Sequence, residues 1–227
     1  MKISKFSILL IGILMLGGIA PGKDIAPWKE GENYFLVTPP QPTGLPRGKV
    51  EVTEVFSYAC IVCNRFLPDM HRLIAGLPAN AVVDYLPASF LPDEDWPVFQ
   101  RAYLTAKALG VADRAHDEMF DAVWRTGELA IVDPITRNLK SPLPSIEDVA
   151  RFYGRTTKIS VTDFVAAATS VGIDTRVNQA DDMVLKYHVE GTPTIIVNGK
   201  YRLGLRSAGD ADKLIEIVKW LVAKESH

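Results

Sequence analysis

Apolar residues fall into two rhythms along this chain. In Lys49–Phe56, Val50, Val52 and Phe56 alternate with other residues in period two, which predicts a strand. Just downstream, Phe66, Leu67, Met70, Leu73, Ile74 and Leu77 recur at helical spacing, and Pro68 among them predicts a kink or break. Tyr34–Val37 reads as an edge strand and Ala81–Leu86 as a further strand. From Trp96 to Tyr187 the rhythm is helical. It predicts helices over 97–109, ending at Gly110, and over 113–125. A third, 145–153, has Ser145 as N-cap and Asp148 three residues on. A fourth, 162–171, is closed by Gly172, and a fifth, 174–188, is capped by Asp174. Strand signals return at Thr194–Val197. Asn198-Gly199 then makes a hairpin turn into Tyr201–Leu203. The last helix, 213–224, has Leu214, Ile217, Val218 and Leu221 on one face.

This order is α/β, with an all-helical stretch set into a strand–helix–strand and hairpin–helix frame. It divides the chain into five parts: 1–20; an N-terminal extension at 21–48 with the edge strand and a proline-rich connector; the first part of the frame at 49–92; the helical insertion at 93–175; and the second part of the frame at 176–227. Lys2 and Lys5 precede the apolar run Phe6–Ile19, with small residues Gly17, Gly18 and Ala20 behind it, which is the pattern of a secretory signal. Pro21 hinders cleavage after Ala20, so the segment is expected to be a signal peptide or an N-terminal anchor. Either leads to a compartment where disulfides form. The net charge of −2 becomes −4 without Lys2 and Lys5, and the absence of a basic excess argues against nucleic acid as a partner.

Cys60 and Cys63 are the chain's two cysteines. Random placement would set two cysteines three apart roughly 1% of the time, so they are expected to serve each other. They sit where strand passes to helix. Free backbone N–H groups and the positive end of the helix dipole favour a thiolate at Cys60. Cys63, one turn in, is expected to be less exposed and to suit a resolving role. The competing readings are two inert, half-buried cysteines or a zinc site. A closed zinc site needs four ligands, and the chain has no second paired motif to add to its four histidines, so no metal is expected. Glu54 shares the phase of Val50, Val52 and Phe56, which predicts a buried acid six residues before Cys60. The alternative is a partly solvated strand acid. His71 and His188 read as ordinary polar helix positions, and Trp96 and Phe99 as anchors of the helical stretch. Phe56 and Tyr58 suit either a groove or the core.

Three blocks carry a family resemblance: Glu54-Val55-Phe56-Ser57-Tyr58-Ala59-Cys60-Ile61-Val62-Cys63, Gly191-Thr192-Pro193-Thr194-Ile195-Ile196-Val197-Asn198-Gly199-Lys200-Tyr201, and the helical stretch between them. Together the chain resembles thioredoxin-fold disulfide oxidoreductases of the DsbA type over roughly residues 34–224. The resemblance implies a thioredoxin-like fold with an inserted helical subdomain, a redox-active Cys60–Cys63 disulfide and no other cofactor. It implies that Pro193, after Thr192, is cis and faces the cysteines on an edge that binds substrate peptide. It makes Glu54 the proton relay of Cys63. Two departures stand out. Such proteins carry Pro-His between the cysteines, whereas this chain has Ile61-Val62, which leaves only the helix end to hold the thiolate and implies a weaker oxidant. Asp84 stands at the strand position where a base would partner the buried acid.

The resulting expectation is a monomeric, exported thiol:disulfide interchange protein of the periplasm. It passes its disulfide to unfolded or partly folded exported proteins with cysteines, and a DsbB-like membrane oxidase restores it. The first rival is a reductase or isomerase, a direction favoured by Thr192 before the proline. The second is a peptide-binding chaperone module with incidental cysteines.

Overall fold

A computed structural model describes residues 27–226, so the signal or anchor expected at 1–20 lies outside the described residues. Five strands form one sheet: β1 (Phe35–Leu36), β2 (Val50–Phe56), β3 (Ala81–Pro87), β4 (Thr194–Val197) and β5 (Tyr201–Gly204). Their order is β1-β5-β4-β2-β3. Only β2 and β3 run parallel, as the helix α1 (Ile61–Ala75) crossing between them requires. Between β3 and β4 lie a 3-10 turn (Pro92–Glu94) and the helices α2 (Trp96–Ala108), α3 (His116–Trp124), α4 (Ile146–Thr157), α5 (Val161–Ala168) and α6 (Val171–Lys186). A short α7 (Leu205–Ala208) and a terminal α8 (Ala211–Glu225) follow the hairpin.

The central strand β2 is covered on both faces. On one, Val50, Val52, Ile195 and Val197 pack against Phe66, Met70 and Leu73 of α1 and Leu214, Ile217, Val218 and Leu221 of α8. Each such side chain contributes about 1.5–3 kcal/mol by leaving water. Val55 and Ile196 belong to the second core, which the inserted helices complete. There Phe56, Tyr58, Tyr103, His116 and Phe120 stack mostly edge to face, with Phe56 5.1 Å from both Tyr58 and Tyr103. Phe56 and Tyr58 are therefore core residues, and buried Trp96 and Phe99 anchor α2.

The Asn198-Gly199 turn forms between β4 and β5, with both residues at positive φ (53° and 64°). A Cβ at Gly199 would meet the Gln41 carbonyl oxygen at 2.0 Å, so no other residue fits beneath the connector. The Ser145 capping box also forms, with the Asp148 N–H donating to Ser145 Oγ at 3.2 Å and the Ser145 N–H to Asp148 Oδ2 at 2.8 Å.

Several sequence expectations need correcting. Pro68 does not break α1, which runs from Ile61 to Ala75; Pro68 lies on the solvent side, where water reaches the carbonyl it leaves unpaired. Helix α3 starts at His116 rather than 113, after a turn. Gly172 and Asp174 do not separate two helices. The break comes earlier, at Ser170, whose Oγ accepts the Ile173 N–H and caps α6, so α6 runs through the boundary expected at 175. Asp84 is not opposite Glu54. The register pairs Asp84 with Thr53 and Tyr85 with Glu54, and the Asp84 carboxylate accepts from Lys107.

Candidate active site

The turn from β2 into α1 positions the first cysteine. The Cys60 N–H donates to the Ser57 carbonyl at 3.1 Å, and Ser57 Oγ accepts the Ala59 N–H at 3.2 Å. From the inserted helices, Trp124 Nε1 donates to the Tyr58 carbonyl at 2.8 Å, and the Tyr58 hydroxyl lies 2.9 Å from His116 Nδ1. Tyr58 is thus held through main chain and side chain by α3.

Cys60 is the N-cap of α1, with extended backbone and its Sγ accepting the Cys63 N–H at 3.3 Å. Both cysteines are free thiols and both are buried, Cys63 more deeply (1% exposed against 7%). The Cys60 thiol donates to the Thr192 carbonyl at 3.6 Å, which brings the second sequence block onto the first across 132 residues. The Thr192–Pro193 bond is cis. The Thr192 hydroxyl is buried without a partner and is free to turn toward a thiolate. Val62 between the cysteines is exposed and Ile61 half-buried. Val62, Thr192 and Pro193 line one cleft of about 800 Å³, together with Arg202 and Arg206.

The two thiols differ sharply. The hydrogen bond from the Cys63 thiol lowers the Cys60 pKa to about 6 against the opposing effect of burial, with Thr192 and the N–H groups of Cys63 and Val62 adding to it. Burial, the hydrogen bond to Cys60 and nearby negative charge push Cys63 well up. Glu54 is buried on the middle strand, and burial followed by the charge of Cys60 raises it to about 8. At neutral pH this arrangement holds a thiolate at Cys60, a thiol at Cys63 and a protonated acid near both. Among the described residues, no group of three or more His, Cys, Asp or Glu is placed to hold a metal ion.

Sequence reading missed His116 and Trp124, whose contact with Tyr58 only the tertiary fold brings about. Tyr85 was within reach: Ala81, Val83 and Tyr85 share one phase of β3, and Asp84 the other. His71 pairs with Asp117 at 3.2 Å, and His188 Nε2 meets the Thr38 carbonyl at 3.1 Å. His188 also adopts positive φ, past the end of α6.

A sheet of this order with two thiols at the first helix end defines a thioredoxin-fold dithiol–disulfide oxidoreductase. A model described as thioredoxin matches residues 39–217, and the chain belongs to that family. Within it the resemblance is to DsbA. The thiol:disulfide interchange protein DsbA of Pseudomonas syringae pv. tomato is 30% identical over 199 residues, covering 88% of this chain and 85% of that one. The DsbA of Azotobacter vinelandii is 29% identical, covering 94% and 92%. Among solved structures, the oxidoreductase DsbA of Xylella fastidiosa has a TM-score of 0.74 at 31% identity, over 86% of this chain and 96% of that one. The activity is thiol:disulfide exchange.

Proposed function

We propose that this chain is an exported oxidase of the periplasm whose reacting disulfide is Cys60–Cys63. A thiolate of a folding protein attacks Cys60 Sγ. The Cys60–Cys63 bond breaks, and Cys63 leaves with the electron pair and takes a proton from Glu54. The second thiolate of the substrate then attacks the mixed disulfide at the substrate's sulfur. Cys60 departs as a thiolate, the substrate leaves oxidised, and the enzyme is left as the dithiol. The low pKa of Cys60 favours it as the leaving group and stabilises the reduced form, which drives transfer toward the substrate.

Thr192 and Pro193 hold the substrate chain beside Cys60, while Ile61 and Val62 tune the thiolate by supplying no side-chain donor of their own. Substrates are unfolded or partly folded exported proteins with cysteines. A DsbB-like membrane oxidase returns the enzyme to its disulfide, and the enzyme acts as a monomer with no cofactor beyond its own cysteines. Residues 49–92 and 176–227 form the thioredoxin-like unit, and 93–175 the insertion. Residues 1–20 deliver the chain as a signal or hold it as an anchor; no helix among the described residues is long and apolar enough to cross a membrane.

The observation that carries this reading is the opposite behaviour of two thiols three residues apart. Incidental cysteines in a chaperone module have no use for such a split. Cys60→Ser tests it: oxidative refolding of a reduced, cysteine-containing protein should stop entirely. If peptide binding persists and refolding is as fast as with the parent, the module is a chaperone.

A further inference from the structure

Glu54 is enclosed between sheet and helices, yet a proton donor must be recharged after every turnover. Its neighbour on β3 is Tyr85, whose Cα lies roughly 4.8 Å away across the parallel pair, on the same face. Beyond Tyr85 the sheet ends, because β3 is an edge strand. There a cleft of about 690 Å³ opens between α1, β3 and α3. Tyr85 and His116 line it and no residue of β2 does, so Tyr85 stands between Glu54 and the cleft. We propose that this cleft is the route by which Glu54 exchanges its proton with solvent, and that the Tyr85 hydroxyl is the relay at its inner end.

The surroundings fit a proton path. Burial and then the charge of Glu54 raise the Tyr85 pKa, so its hydroxyl keeps a proton and can accept one while donating another. The Tyr85 ring centroid lies 4.4 Å from that of His116. Burial lowers His116 to about 4, so it is neutral at working pH and does not repel an incoming proton. Its Nε2 is buried with no protein partner. At the mouth, α1 contributes His71, paired with Asp117 of α3, and α2 contributes Lys107, paired with Asp84. Asp113, Arg114 and Glu118 complete the charged rim. Acids exceed bases there, which draws protons inward.

The step balances. Glu54 gives its proton to the departing Cys63 sulfur. A cleft water protonates the Tyr85 hydroxyl as that hydroxyl passes its own proton to the Glu54 carboxylate, and that water takes a replacement proton from bulk solvent at the mouth of the cleft. Reoxidation runs the same path outward.

This inference rests on Glu54 acting as the proton donor, and the test separates the two claims. Steady-state oxidation of a dithiol peptide by the full chain, with glutathione disulfide as the terminal oxidant, is followed over many turnovers in light and heavy water, from about pH 5 to about pH 9. Tyr85→Phe should slow the step about tenfold, enlarge the solvent isotope effect and be rescued by added imidazole. Ile74→Trp, which narrows the cleft from α1, should slow the same pH limb. Glu54→Gln should abolish that limb, beyond rescue by imidazole. If Tyr85→Phe and Ile74→Trp keep the parent's rate and isotope effect while Glu54→Gln is slow, the route is wrong and Glu54 stands. A slower rate in either cleft variant with an unaltered isotope effect also overturns the route. If Glu54→Gln behaves like the parent, the role of Glu54 itself fails.

Discussion

The mouth and the floor of the site handle charge in opposite ways. At the mouth, Cys60 caps a helix, and hydrogen-bond donors outweigh burial, so the thiol ionises near pH 6. One turn down, Cys63 has lost its water with no comparable compensation, and its thiol is held protonated. Glu54 on the strand shares that fate, at about 8. The same functional group thus becomes a leaving thiolate or a proton acceptor according to whether hydrogen-bond donors, the Cys63 thiol first among them, outweigh its burial. The lesson is that position along the helix end, which sets both the donors each sulfur receives and the depth of its burial, divides the labour within the pair, rather than residue type.

This contrast can be broken from the floor first. The folded pKa of Glu54, about 8, lies above the ordinary 4.5, so folding favours the protonated form. Stability attributable to this group is fully present below about pH 4.5 and is lost as pH rises to about 8. Glu54→Gln should therefore stabilise the protein by on the order of 3–5 kcal/mol above pH 8 and by almost nothing at pH 4. The same variant should slow the Cys63 step by about a hundredfold. Denaturant titrations at the two pH values check the first point, and a variant no more stable at high pH means the floor is wet. The reduced form carries a second dependence, of opposite sign. The Cys60 pKa is depressed, so its contribution is complete above about pH 9 and disappears as pH falls through about 6.

The mouth offers smaller effects. Val62→His places a cation at the exposed position between the thiols, and the Cys60 pKa should fall by about one unit. The protein then becomes about 30 mV more oxidising, measured against glutathione. An unchanged thiolate absorbance profile would show that the donors already present set Cys60 and that a cation at position 62 does not reach it. Smallest is Thr192→Val, which removes the unpartnered hydroxyl and should raise the Cys60 pKa by about half a unit while leaving the Glu54 profile in place. If both profiles move together, mouth and floor are not separate environments.

Much of this was legible in the sequence because each signal was local. The alternation around Glu54, the spacing of the two cysteines and the Asn198-Gly199 turn each gave strand, helix end or hairpin where they stand. The failures were also physical. Gly172 looked like a helix stop, but Ser170, two residues earlier, supplies the cap, and a glycine in the first turn costs little when that turn is already satisfied. Pro68 sits on a solvated face, where a missing hydrogen bond is tolerated. The partner of Glu54 was misplaced by one residue of register, which in a sheet means the opposite face. The grip of α3 on the cysteine turn left no trace in the sequence, since it joins residues 58 apart and more.

That grip has a practical side for protein engineering. The indole N–H of Trp124 on the Tyr58 carbonyl, and the imidazole of His116 on the Tyr58 hydroxyl, splice the inserted helices into the loop that aims Cys60. The insert is therefore not an interchangeable cassette. A chimera that replaces residues 93–175 with helices from another source must bring its own equivalents of both side chains, or the reactive sulfur will lose its aim even though the sheet beneath it is unaltered.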